Sequence, residues 1–85
     1  MVLERRRDKL EIIRAILSIC NKDNTTKTRI VYKANLNFKT AGIYLDWLIN
    51  QGLVSRNENH FKLTNKGNEL LSNLQDISPI FNELL

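Results

Sequence analysis

The chain has one cysteine, one histidine and one proline in 85 residues, and no apolar run approaching a membrane span. A bilayer crossing needs about 20 consecutive apolar residues. A lone cysteine, Cys20, excludes an internal disulfide framework and a cysteine-based zinc site. Late in a helical apolar pattern it reads as a buried small hydrophobe, with an intersubunit disulfide as the alternative. The lone His60 has no acidic, cysteine or second histidine partner with which to build a metal site, and no nucleophile beside it to complete a triad. A glycine-rich phosphate loop is also missing. Neither an enzyme nor a metal or cofactor site is expected. The basic cluster between Met1 and Arg7 lacks the apolar stretch of a signal peptide, so a cytoplasmic location away from membranes is expected.

Bases are missing from one end. Residues 1–66 carry all 13 Lys and Arg against six acids, a net of +7, whereas residues 67–85 carry three acids and no base, a net of −3. A basic body suits a polyanion and an acidic tail is repelled by one. With 42% hydrophobic and 26% charged residues, the composition is that of one ordinary globular domain. So small a domain gains stability from a second copy.

From Arg5 to Asn21, Leu10, Ile13, Ile16, Leu17 and Cys20 mark the inward face of a helix, with Ile12 and Ala15 flanking. Thr25 or Thr26 caps a second, short helix over Lys27 to Ala34, with Ile30, Val31 and Ala34 inward. Asn35-Leu36-Asn37 is a tight break in which Leu36 plugs the core. A third helix from Phe38 to Asn50 turns Ala41, Leu45, Leu48 and Ile49 inward and ends at Gly52. Leu53–Ser55 and His60–Leu63 read as a hairpin around Arg56-Asn57-Glu58-Asn59. Thr64 caps a fourth helix to about Asp76, with Leu70, Leu71 and Leu74 inward and Gly67 packed closely on a neighbour. The fold class is therefore mainly α with a small β-hairpin: a three-helix helix-turn-helix, a two-stranded wing and a C-terminal helix. Residues 1–76 form this domain and residues 77–85 a tail.

The run Thr26-Lys27-Thr28-Arg29-Ile30-Val31-Tyr32-Lys33-Ala34-Asn35-Leu36 resembles the TKTRIMYKANL signature of an archaeal winged-helix family of predicted transcriptional regulators, archaellum regulators among them. Tyr44-Leu45-Asp46-Trp47-Leu48, Gln51-Gly52-Leu53 and Phe61-Lys62-Leu63-Thr64-Asn65-Lys66-Gly67 resemble its YLxxL, GL and YxLTxKG segments. The resemblance implies a regulator of transcription that binds double-stranded DNA. Small dimeric architectural DNA-binding proteins of thermophilic archaea are similar, which makes low-specificity DNA coating one alternative. A winged-helix protein-interaction module without DNA binding is another.

In such a motif the third helix lies in the major groove, with its N-terminal residues at the base edges. Candidate readers are Asn37, Phe38, Lys39, Thr40, Ile43 and Tyr44. Asn37 suits a helix cap more than a reader, Phe38 a core plug or a thymine-methyl contact, and Tyr44 both packing and a phosphate contact. Ile43 and Trp47 point outward on this reading; either the helix is rotated or this edge meets part of a dimer. Candidate phosphate contacts are Lys27, Thr28, Arg29 and Lys33 on the second helix, and Arg56, Asn57, Asn59, His60 and Lys62 around the wing. Arg5-Arg6-Arg7 reads as a solvated end, with contact to DNA as the alternative. Leu70, Leu74, Ile77, Phe81 and Leu84 follow a 4-3-4-3 seam, with Ser78-Pro79 suited to start a fresh short helix. That seam predicts a homodimer, with folding back onto the same subunit as the alternative.

Overall fold

The computed structural model describes residues 8–22 and 24–84, with side chains at 8–21 and 24–74. The element order is α1 (Lys9–Lys22), β1 (Thr25–Thr26), α2 (Lys27–Ala34), α3 (Phe38–Asn50), β2 (Val54–Asn57), β3 (His60–Leu63) and α4 (Asn65–Leu84). Helices α1 to α3 followed by the β2–β3 hairpin are the expected winged helix-turn-helix. The core runs through Ile16, Leu17, Ile30, Leu45, Leu48 and Val54, all fully buried.

Helix α1 begins where the Asp8 carboxylate accepts a hydrogen bond from Glu11 N at 2.8 Å. It buries Ile12, Ile16, Leu17 and Cys20. Leu10, expected inward, is instead 57% exposed. The buried stripe runs through Ile12, Ile16 and Cys20, and Leu10 stands in the first turn at its edge. Burial pushes the Cys20 thiol up from 9.0 to about 11, because desolvation disfavours the thiolate. Cys20 thus packs as a neutral apolar side chain, as expected.

The turn between α2 and α3 is built from backbone chemistry. Asn35 adopts the left-handed conformation, φ 57 and ψ 52. Its N–H donates to Tyr32 O at 3.3 Å, and Leu36 N–H donates to Val31 O at 3.0 Å. This paired arrangement satisfies carbonyls that a helix end would otherwise leave open. Gly52 ends α3 in the same way at φ 76, with Gly52 N–H on Ile49 O and Leu53 N–H on Leu48 O.

The wing is larger than expected. Strand β1 adds a third member, giving the order β1-β3-β2, with Thr25 opposite Phe61 and Thr26 opposite His60. Strand β2 extends to Asn57, leaving Glu58 and Asn59 as the turn, with Arg56 opposite Phe61 and Asn57 opposite His60. Two residues are too few to show an alternating pattern, so β1 was invisible to periodicity.

Helix α4 is anchored by Thr64. Its hydroxyl donates to Gly52 O at 2.7 Å and accepts from Gly67 N at 3.0 Å, while its N–H donates to Leu53 O at 3.1 Å. Lys66 Nζ adds a bond to Gln51 O at 3.0 Å. Beyond this start α4 is a single helix to Leu84, without the expected break at Ser78-Pro79. Pro79 therefore lies inside a helix, where one backbone hydrogen bond is forfeited. Leu71 is buried, and Leu70 and Leu74 pack half-buried on the core. The side chains of Ile77, Phe81 and Leu84 lie outside the described residues. Among the described residues no helix is long and apolar enough to cross a membrane.

Gly67 is required by contact, as expected. A Cβ there would stand 2.1 Å from Leu53 O and 2.7 Å from Leu63 Cδ1. At Gly42 the nearest atom is the flexible Lys27 Nζ at 3.0 Å. Gly67→Ala is expected to destabilise the fold by about 2–3 kcal/mol. Gly42→Ala is expected to be neutral or to stabilise by up to about 1 kcal/mol, since alanine favours helix over glycine. Thermal denaturation of the two variants measures the contrast.

Candidate nucleic-acid interface

Helix α3 presents its outward face between two hollows. On one side lies a polar cleft of about 440 Å³ lined by α2, α3 and the wing. Lys27 and Thr28 come from the start of α2, Gly42 and Asp46 from α3, and Arg56 and Asn59 from the wing. On the other side Lys9, Ile13, Ile43, Tyr44 and Trp47 line an apolar groove between α1 and α3.

The two bases in the cleft are held by rings. Lys27 Nζ lies 5.6 Å from the centroid of Phe38, and Arg56 Cζ lies 5.7 Å from that of Phe61. A cation over an aromatic face gains about 0.5–1 kcal/mol at exposed sites, enough to bias side chains that would otherwise sample many rotamers. Arg56 is fixed further, its Nε donating to Glu58 O at 2.9 Å across the turn. Glu58 itself takes φ 58, the left-handed region. The hairpin tip thus orients the arginine rather than merely closing the strand pair.

Phe38 is therefore not the core plug that suited it in the sequence. It is 53% exposed at the first position of α3, with Lys27 over its ring. Leu36, two residues earlier, packs against the core instead. Asn37 is the helix cap, its Oδ1 accepting from Thr40 N at 2.7 Å. Thr26 caps α2, its Oγ1 accepting from Arg29 N at 3.2 Å.

The other candidates are spread over the same side and its margins. Lys39 and Ile43 are exposed on α3, while Thr40 and Tyr44 are half-buried and Tyr44 packs against the core. Arg29 and Lys33 are exposed on α2, and Asn57, His60 and Lys62 on the wing, but none of these lines the cleft. Ile43 and Trp47 do point outward, at 61% and 45% exposure. Among the described residues no group of three or more His, Cys, Asp or Glu is placed to hold a metal ion. Sequence reasoning missed Asp46, Gly42 and Phe61 as cleft residues. The spacing of Asp46 from Lys39 and Ile43, seven and three residues, was the signal that could have found it.

Residues 6–81 match the winged helix-turn-helix family profile. An uncharacterized protein of Methanocaldococcus jannaschii is 38% identical over 77 residues, covering 91% of this chain and 79% of the relative. A second uncharacterized protein of that organism is 33% identical over 72 residues, which are 85% of this chain but only 34% of that longer relative. Among solved structures, Sso10a-2, a DNA-binding protein from Sulfolobus solfataricus, superposes with a TM-score of 0.78 at 28% identity, covering 92% of this chain and 85% of that one. The multiple antibiotic-resistance repressor MarR from Listeria monocytogenes superposes with a TM-score of 0.67 at 19% identity, covering 87% and 59%, a likeness of fold.

Asn37 separates a structural role from a reading role. Loss of the cap in Asn37→Ala is expected to lower stability by about 1 kcal/mol, and Asn37→Ser to restore most of it. Denaturant titration of the three chains checks this; equal midpoints would show that the cap contributes nothing.

Proposed function

Because the chain belongs to the winged helix-turn-helix family, we propose that it binds double-stranded DNA as a non-enzymatic transcriptional regulator. Helix α3 lies in the major groove, with Lys39, Thr40 and Ile43 toward base edges. Lys27 and Thr28 on one wall of the cleft, and Arg56 and Asn59 on the other, grip the flanking phosphates. Arg29, Lys33, Asn57, His60 and Lys62 add contacts along the backbone. The observation that carries this reading is the pair of ring-held cations, Lys27 and Arg56, beside an exposed helix. Pre-ordered cations lose less side-chain entropy when a phosphate arrives.

The acidic α4 contributes no residue to the lining of this cleft. Its seam, Leu70, Leu74, Ile77, Phe81 and Leu84, supports a homodimer that presents two α3 helices to half-sites one helical turn apart. Leu70 and Leu74 already pack on their own core, so the later three residues carry most of the contact in this reading.

The apolar groove beside Ile43 and Trp47 favours a second reading, a protein-interaction module. Duplex titration at two salt concentrations, with selected and random DNA in competition, decides between the readings. Affinity is expected to fall by about 10³-fold or more between 50 and 200 mM salt if six or more phosphates are contacted. Two chains per site and preference for the selected duplex are expected as well. Equal competition by random DNA would leave a low-specificity architectural protein, and no binding at low salt would leave the interaction module.

A further inference from the structure

The solvent-facing strip of α3, opposite the buried Ala41, Leu45 and Leu48, is Lys39, Ile43, Asp46 and Asn50, spaced 4-3-4. One member is out of keeping with a surface that only grips phosphates. Asp46 is exposed, lines the cleft beside Lys27 and Arg56, and is engaged by no hydrogen bond or ion pair among the described residues. No direct contact ties its carboxylate to either cation.

A carboxylate in such a place repels phosphates and accepts hydrogen bonds without donating any. The DNA groups it tolerates are donors, and in the major groove these are the amino groups of cytosine (N4) and adenine (N6). Adenine sets its N7 acceptor beside N6, facing the second carboxylate oxygen with a lone pair. Cytosine has no acceptor on that edge. Guanine and thymine present O6, N7 and O4, all acceptors.

We propose that Asp46 is a specificity-determining residue that selects a cytosine in the major groove by accepting a hydrogen bond from its N4 amino group. This rests on the DNA-binding reading above. Two turns earlier on the strip Lys39 faces acceptor-rich guanine, and Ile43 between them offers an apolar surface to a thymine methyl. The three side chains thus place a donor, an apolar group and an acceptor in order along one helix face. Asp46 weakens binding everywhere except where an amino group meets it, which turns a repulsive charge into discrimination.

The test uses the whole chain. Randomised duplexes are selected on the wild-type protein, and single-base changes in the selected site are then titrated against wild type, Asp46→Ala and Asp46→Asn. For wild type, replacing cytosine by thymine at one position of each half-site is expected to cost about tenfold or more. Asp46→Ala is expected to be indifferent at that position and to bind random duplex at least as tightly as wild type. Asp46→Asn, which can donate and accept, is expected to shift preference there toward adenine. Unchanged cytosine preference in both variants overturns the proposal, as does a wild-type chain that binds DNA with no base preference. Absence of any duplex binding overturns the DNA-binding reading and this proposal together.

Discussion

The architecture depends on one crowded junction, where the first turn of α4 passes against the backbone at the end of α3. Thr64 sits at its centre, donating through its hydroxyl to Gly52 O and accepting from Gly67 N. Gly67 allows the approach because it puts no Cβ against Leu53 O. Gly52 turns the chain out of α3 at φ 76, and Leu53 and Val54 then enter the core. The wing hangs between these points. These contacts fix the base of the wing against the end of α3, and the burial of Val54 and Phe61 with the β1–β3 pairing fixes the rest.

That placement gives the cleft its chemistry. With β2 and β3 fixed at their base, Arg56 lies over Phe61 at the mouth, and Lys27 lies over Phe38 on the opposite wall. The two rings do different things. Phe61 is a core residue lending one face to a cation, whereas Phe38 is exposed and has its cation as neighbour. A short polar strand at β1 ties the start of α2 to β3, so the two walls belong to one sheet-and-helix unit. The cleft is thus pre-ordered, which in the proposed function lowers the entropic cost of gripping a phosphate.

Much of this was legible in the sequence, and the failures have physical causes. The limits of α2 and α3 follow from caps and apolar spacing, because Thr26, Asn35, Asn37 and Gly52 each satisfy backbone groups that a helix end leaves open. Gly67 was legible as a close contact because glycine in a first helical turn needs a reason. Leu10 failed because periodicity gives the direction of a stripe but not where the core ends along the helix. Phe38 failed because hydrophobicity alone does not distinguish a ring that is buried from one that holds a cation. The unbroken course of α4 through Pro79 was hidden for the opposite reason: a local signal for a break was overridden along the helix. The cleft joins residues 27, 42, 46, 56 and 61, and no local pattern announces contacts so far apart in the chain.

In the proposed function the face formed by α3, the start of α2 and the wing meets DNA and α4 does not. Backbone amide chemical shifts recorded while a duplex is added test this residue by residue. Shifts are expected to concentrate in residues 26–29, 37–46 and 56–62, with residues 66–74 of α4 unmoved. Shifts concentrated on α4, or on the groove of Ile13 and Trp47 with the cleft silent, would contradict this reading.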